Sequence, residues 1–184
     1  VSEDNSYLPI ELFNEIIQTA TTRVNDAGFC DGDAVGIYVV NFENGQSGTM
    51  QVEGNQADNV KYVYDEANFK WVPEKEVYFR DRNTKVDIVG YYPYANPQSI
   101  ATYPFEVQKD QSTAATNGAL GGYEASDFLW GKAAEITPTA SRVNLKFHHR
   151  MAGVHISLVE GTGWNTGEWA HVEKFALVTN TKRK

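Results

Sequence analysis

The 184-residue chain carries 24 acidic and 16 basic side chains, so its formal net charge at pH 7 is −8. Nucleic acid and anionic lipid surfaces bind proteins through clustered cations, so this excess of acid argues against both as partners. No apolar run approaches the roughly 20 residues of a membrane helix, and the single cysteine, Cys30, excludes an intrachain disulfide framework.

The opening segment of the chain fits either a helix or a strand. Apolar side chains share one helical face behind a proline at Ile10, Phe13, Ile17 and Ala20. The alternation of a strand is met almost as well by Leu8, Ile10, Leu12 and Ile16. The pattern leaves both alternatives open.

The remainder of the chain predicts strands, because it is rich in tyrosine, phenylalanine, valine and threonine between turn residues. Alternation of apolar and polar residues predicts them at 35–42, 59–64, 69–72, 76–79, 85–91, 105–107, 142–149, 154–159 and 172–179. Short strands without helical patterns between them predict an all-β sandwich. Residues 108–122 are small and polar, which predicts a long surface loop of the kind that often carries function.

The sequence contains no recognisable catalytic or metal-binding motif. His148, His149 and His155 are close in sequence, but neighbouring residues of a strand point to opposite faces, so we expect a partly buried His149 bonded to backbone. The acids within residues 26–33 lack the spacing of a calcium-binding loop. A P-loop, a nucleophile elbow and a dinucleotide-binding motif are also missing, so we predict no catalytic residue, no metal and no cofactor.

Two tryptophans are candidates for contact with a ligand. Trp164 and Trp169 lie in a turn-rich stretch that includes Gly163, Asn165 and Gly167, and such stretches are usually exposed. Flat aromatic faces at the surface are suited to binding sugars or other proteins. We therefore treat both indole rings as possible exposed ligand contacts.

Six sequence segments occur in an order that is typical of one bacterial protein family. They are residues 22–23 with 29–38 (FCDGDAVGIY), 59–62 with Trp71, 86–94 (VDIVGYYPY), 107–112 (VQKDQS), 126–131 (SDFLWG) and 145–152 (LKFHHRMA). In this order they resemble the fimbrillin-like proteins, surface fimbrial subunits of anaerobic Gram-negative gut and oral bacteria. The resemblance extends across nearly the whole chain.

The resemblance implies a transthyretin-like antiparallel β-sandwich of about seven or more strands, which forms the amino-terminal half of a two-domain subunit. It also implies export as a lipoprotein precursor, trimming by a trypsin-like protease, and polymerisation at the outer membrane surface. Removal of the first strand would open a groove, and a strand from another subunit would fill it. Membrane contact is expected only through a lipid anchor on the precursor.

Carried onto this chain, the resemblance places the removable first strand within residues 1–22. Its inward side chains would be Leu8, Ile10, Leu12 and Ile16. Arg23 is the candidate cleavage site, and residues 23–184 would form the amino-terminal sandwich domain. The carboxy-terminal domain and its donor strand are expected beyond residue 184, so this fragment would accept a strand without giving one.

The function that follows is that of a non-enzymatic structural subunit of a cell-surface fimbria, with other fimbrial subunits as partners. Its assembly would proceed by protease-triggered donor-strand exchange. The alternative is a tip or accessory adhesin of the same fold, which binds a glycan or a host protein. In that case the loops at 108–122 and 161–169 would carry the binding surface.

Overall fold

The computed structural model describes residues 8–17, 28–99, 102–116, 119–139, 142–152, 157 and 159, without the side chains of residues 14–17. The chain divides into two compact units, Val1–Gly153 and Val154–Lys184. All the described strands lie in the first unit. The strands predicted at 154–159 and 172–179 fall in the second unit, where only positions 157 and 159 are described.

The described part of the first unit consists of strands, turns and loops. The strands are β1 (Leu12–Ile17), β2 (Ala34–Glu43), β3 (Gln46–Ser47), β4 (Ala57–Asp65), β5 (Lys70–Pro73), β6 (Val86–Tyr92), β7 (Leu129–Ile136) and β8 (Val143–His149). Two single 3-10 turns, Glu66–Asn68 and Glu124–Ser126, are the helical elements among the described residues, so the all-β class is confirmed. Within the same residues, no helix has the length and apolar character needed to cross a membrane.

The strands hydrogen-bond into one sheet in the order β1-β8-β7-β6-β2-β4-β5, and the short β3 pairs with β2. Among these described pairs, β1–β8 is parallel, with Leu12 opposite Val143 and Ile17 opposite His148, and the others are antiparallel. The prediction of an antiparallel sandwich is therefore wrong at the β1–β8 pair. β1 and β5, at the two ends of this order, contact each other, so the sheet folds around a shared core.

Alternating side chains from the central strands fill this core. Ile37 and Val39 of β2 lie beside Val86 and Ile88 of β6, and all four are fully buried. Burial of one such aliphatic side chain contributes about 1.5–3 kcal/mol. The paired strands β2 and β6 therefore form the stable centre of the unit.

A glycine in β6 permits close packing between β6 and β8. A Cβ atom at Gly90 would lie 2.6 Å from Leu145 Cδ2 and 3.0 Å from Phe147 Cζ. Real Cβ atoms do not approach other heavy atoms so closely, because protein interiors are already densely packed. The two side chains of β8 thus occupy the space that a larger residue at position 90 would need.

A buried carboxylate connects three strands. Asp87 of β6 accepts hydrogen bonds from Lys132 Nζ of β7 and Ser47 Oγ of β3, both at 2.6 Å. It also accepts from the backbone N–H of Glu135 at 2.9 Å. Burial by itself would raise the pKa of Asp87, but the hydrogen bonds from Lys132 and Ser47 outweigh it and hold the pKa below its ordinary value.

The face of the sheet opposite the core carries a second, aromatic cluster. The cluster consists of Tyr38, Val89 and Tyr91, covered by Tyr103, Phe105 and Phe128. The rings of Tyr103 and Phe105 lie 5.5 and 5.1 Å from the ring of Phe128, centre to centre. The segment that carries Tyr103 and Phe105 covers the sheet through its side chains and forms no strand. The strand predicted at 105–107 is therefore wrong.

Most of the predicted strands are confirmed. Those predicted at 35–42, 59–64, 69–72, 85–91 and 142–149 correspond to β2, β4, β5, β6 and β8, within two residues at each end. The opening segment, left open by its pattern, contains a strand. In the predicted loop at 108–122, the described residues form no strand and make one isolated bridge, between Thr116 and Ala119.

Two strand assignments differ for identifiable physical reasons. β7 was not predicted, because its buried positions include Gly131 and Ala133, which hide the apolar alternation. The strand predicted at 76–79 is wrong, because this segment makes only an isolated bridge, between Tyr78 and Pro9. Proline lacks a backbone N–H and cannot continue a ladder of hydrogen bonds.

Candidate functional site

The candidate site is the first segment, residues 8–17, together with the surface on which it lies. Its described side chains alternate as a strand requires. Ile10 and Leu12 are buried, at 4% and 5% exposure, and Leu8 packs against the same core, whereas Phe13 is 41% exposed. The inward placement predicted for Leu8, Ile10 and Leu12 thus agrees with the structure. For Ile16 the structure describes the backbone, which lies opposite Phe147 in the β1–β8 ladder.

The first segment changes its hydrogen-bonding partner partway along its length. Near its start it runs antiparallel to residues 77–79: Ile10 N donates to Val77 O at 2.8 Å, and Phe79 N donates to Leu8 O at 3.0 Å. From Glu11 onward it pairs in parallel with β8, beginning with Val143 N donating to Glu11 O at 2.8 Å. The segment therefore connects two parts of the first unit that do not pair directly with each other.

An exposed ion pair marks the point where the partner changes. Arg142 Nε lies 3.3 Å from Glu11 Oε2, and both side chains are more than half exposed. Such pairs contribute about 0–1 kcal/mol, because water and salt screen them. The first segment is therefore stabilised in place mainly by its buried apolar side chains and its backbone hydrogen bonds.

A cleft of about 440 Å³ lies beside the first segment. Its lining comes from residues 9–12, from the whole of β5, from residues 76–78, and from Tyr62 and Arg142. Two apolar side chains in this lining, Val72 and Tyr78, are 43% and 39% exposed. Apolar surface thus continues from the core, past the first segment, to solvent.

Tyr62 brings a buried polar group to the cleft. The residue is 1% exposed, and its hydroxyl has no hydrogen-bond partner among the described residues. Burial, followed by the negative charge of Glu76, raises the pKa of Tyr62 far above its ordinary value. The phenol therefore stays protonated, and its hydroxyl lies buried behind the cleft wall.

If the first segment left, the surface beneath it would favour the binding of another strand. Each aliphatic side chain that departs from the core gives up about 1.5–3 kcal/mol of burial. The backbone N–H groups of Phe79 and Val143 would lose their acceptors, at about 1–3 kcal/mol for each that stays buried. A new extended segment with alternate apolar side chains would restore both the apolar burial and the backbone hydrogen bonds.

The other predicted site residues have mixed outcomes. Arg23, Trp164 and Trp169 lie outside the described residues, so their roles stay predictions. His149 is partly buried, as predicted, but its Nδ1 lies 2.9 Å from Asp127 Oδ1, so its partner is a carboxylate and the predicted backbone partner is wrong. Among the described residues, no group of three or more His, Cys, Asp and Glu side chains is arranged to hold a metal ion.

Two features of the site were missed from the sequence. The alternation of Val77 and Phe79, both buried, predicts a strand, but nothing in it indicates that residues 8–10 are the partner. Tyr62 falls in a predicted strand, and nothing in the sequence indicates that its hydroxyl is buried beside a cleft. Both features depend on contacts between residues that are distant in sequence.

A family model described as fimbrillin-like matches residues 22–183. A proposed cell adhesion protein from Bacteroides ovatus matches in structure with a TM-score of 0.53 at 19% identity, over 78% of this chain and 53% of that protein. A fimbrial protein from Bacteroides ovatus gives a TM-score of 0.49 at 20% identity, over 80% of this chain and 29% of that protein. No curated protein matches the chain.

The structural matches cover only part of each solved protein. The chain spans about half the length of the first of these solved proteins and less of the second. At 19% identity, the likeness to the first supports the fold and says nothing of function. The family match, in contrast, extends over nearly the whole chain.

Proposed function

The chain belongs to the fimbrillin-like family, and from that premise we propose that it is a non-enzymatic structural subunit of a cell-surface fimbria. Its partners are other subunits of the fimbria, and its attachment to the outer membrane is through a lipid anchor on a precursor. The removable strand lies within residues 1–22, and the amino-terminal domain that remains lies within residues 23–184. Assembly proceeds by donor-strand exchange.

One observation carries this proposal. Residues 8–12 supply two buried core side chains and accept or donate backbone hydrogen bonds on two different partners. The strand that follows, β1, lies at the end of the sheet order, so its departure leaves the central pairs β2–β6 and β6–β7 intact. An end strand that contributes to the core is the kind of element that can be exchanged without unfolding the rest.

The proposed sequence of events follows from the same contacts. A protease cuts after Arg23, which severs the covalent link between the first segment and the rest of the chain. The first segment is then held only by its burial and hydrogen bonds, and a strand from a neighbouring subunit replaces it. The incoming strand presents alternate apolar side chains to the core, as Leu8, Ile10 and Leu12 do now.

The experiment that tests this function uses a longer precursor that carries the donor strand. Treatment with an arginine-specific protease should produce a new amino terminus after Arg23, a heat-sensitive ladder on gels and filaments by negative-stain electron microscopy. The matched control is Arg23→Lys, which an arginine-specific protease leaves uncut and which should stay monomeric. A precursor that is cut after Arg23 but remains monomeric would contradict assembly by this route.

A second candidate function, a tip or accessory adhesin, is favoured by the surface of the described loops. Every residue from 106 to 116 is exposed, although a chain segment of this length normally buries some side chains. A saturable ligand, glycan or host protein, together with an absence of filaments, would favour this function over the structural one. Trp164 and Trp169 remain proposed contacts of that ligand.

A further inference from the structure

A second cavity, distant in sequence from the first segment, lies where three loops of the first unit meet. Its volume is about 600 Å³, and it is bounded by residues 30–34, by the end of β6 with Tyr94, and by a set of loop residues: Ala115, Thr116, Ala119, Leu120, Tyr123 and Glu124. Part of the predicted surface loop at 108–122 thus forms one wall. We name this space the tyrosine cavity, because Tyr92, Tyr94 and Tyr123 line it.

The first wall of the tyrosine cavity is fixed by hydrogen bonds. Cys30 N donates to Asp33 Oδ2 at 2.8 Å, and Asp33 N donates to Cys30 O at 3.0 Å, which closes a tight turn. Gly32 N donates to Tyr64 O at 3.0 Å and ties this turn to β4. The wall is therefore formed before any ligand arrives, which reduces the ordering cost of binding.

The opposite wall is fixed in the same way. Thr116 N and Ala119 N each donate to the other residue's carbonyl, at 3.0 and 2.9 Å. Gly122 N donates to Thr113 Oγ1 at 2.8 Å. A loop of small polar residues is thus held in place beside the cavity by its own backbone.

Carboxylates bring hydrogen-bond acceptors to the cavity. Tyr92 donates its hydroxyl proton to Asp33 Oδ1 at 3.1 Å. Burial raises the pKa of Asp33, and the negative charge of Glu124 adds to this effect. Glu124 Oε2 is buried and accepts no hydrogen bond from the described residues. Because that oxygen is fully buried, a ligand in the cavity reaches Glu124 only through its other oxygen, Oε1.

Apolar surface lies next to these acceptors. Tyr123 and Leu120 line the cavity and are 38% and 40% exposed. A saccharide has the matching chemistry, because its ring presents hydroxyl donors at the edge and C–H groups on its faces. Aromatic rings take up the C–H faces, and carboxylates accept from the hydroxyls.

The charges around the cavity select against an anionic ligand. The carboxylates of Asp31, Asp33 and Glu124 line it, whereas Lys61 is the cation in its described lining. Lys61 Nζ lies over the ring of Tyr94, at 5.5 Å from its centre. Like charges repel in a partly desolvated site, so a sialylated or sulfated sugar is disfavoured.

We propose that the tyrosine cavity binds a neutral saccharide, with Tyr123 against a sugar face and Glu124 accepting from sugar hydroxyls. The site rests on the adhesin function proposed above and does not require strand exchange. Neither Trp164 nor Trp169 belongs to the described lining of the cavity. The first segment and its cleft have no part in it.

The test measures binding of lactose, maltose and chitobiose to the whole chain by saturation-transfer NMR and calorimetry, with sialyllactose as the anionic counterpart of lactose. At least one neutral disaccharide should bind, and sialyllactose should bind more weakly than lactose. Tyr123→Ala and Glu124→Gln should each weaken binding about tenfold, the effect of one lost charged hydrogen bond or contact. Circular dichroism and melting temperature establish that each variant is folded.

The controls are an aromatic ring and a carboxylate that do not line the cavity. Phe69→Ala and Glu106→Gln change exposed residues and should leave binding unchanged. Absence of binding by all three neutral disaccharides would overturn the proposal, as would wild-type affinity in both Tyr123→Ala and Glu124→Gln. Capture of a host protein without saccharide binding would keep the adhesin function and still overturn this site.

Discussion

Truncation of Leu12 to alanine tests whether the first segment belongs to the cooperative core. Leu12 is 5% exposed and packs within the main core cluster. Replacing a buried leucine by alanine costs about 2–5 kcal/mol, and the cost is lower where the surroundings can relax into the cavity. Because β1 lies at the end of the sheet order, relaxation is easier there than in β2 or β6. We therefore expect a loss of about 2–3 kcal/mol.

The assay is urea unfolding followed by tryptophan fluorescence, which gives the free energy of unfolding for each variant. The matched control is Phe13→Ala, on the next residue of the same strand, which is 41% exposed. Changes at exposed positions usually cost well under 1 kcal/mol. Equal losses for the two variants, or no loss for Leu12→Ala, would show that the first segment does not pack as part of the core.

Two further predictions concern the sheet itself. Gly90→Ala should lower the free energy of unfolding by about 1–3 kcal/mol, because the added methyl group overlaps Leu145 and Phe147; a calorimetric melt without a fall in melting temperature would contradict that packing. Asp87→Asn should cost about 1–3 kcal/mol at pH 7, because it weakens the hydrogen bonds from Lys132 and Ser47. The pKa of Asp87 is lowered in the native protein, so its contribution is complete above the unfolded value of about 3.9 and is lost as the pH falls through the lower native value. Urea titrations over this pH range should show that the difference in the free energy of unfolding between wild type and Asp87→Asn becomes smaller below about pH 4. A difference that stays constant would contradict the lowered pKa of Asp87.

The sequence predicts β2 and β6 well, because both strands are buried on both faces and are rich in large apolar side chains. It fails at β7, where the inward positions hold Gly131 and Ala133, and close packing replaces side-chain size. At Gly131 a Cβ atom would collide with the backbone of Lys146 in β8. Small residues that are required by a close approach look like turn residues when the partner strand is unknown.

The candidate site is predictable only in part, for a related reason. The alternation of Leu8, Ile10 and Leu12 is local, so the sequence reveals which side chains point inward. The partners of this segment, Val77 and Val143, lie far along the chain, and no local pattern identifies them. The parallel pairing with β8 is likewise a property of the folded sheet. The resemblance to a family supplied the position of the strand and none of its contacts.

The central claim is that the segment before Arg23 is a separable strand whose place another strand can take. The most direct measurement cuts the chain with an arginine-specific protease and adds an isotope-labelled peptide of residues 1–22, followed by native mass spectrometry. The cut chain should exchange its own segment for the labelled peptide. Uncut Arg23→Lys should not exchange, and a peptide with Leu12→Asp should not bind. A cut chain that takes up no peptide, or that loses its segment and keeps its full stability to urea, would contradict the account.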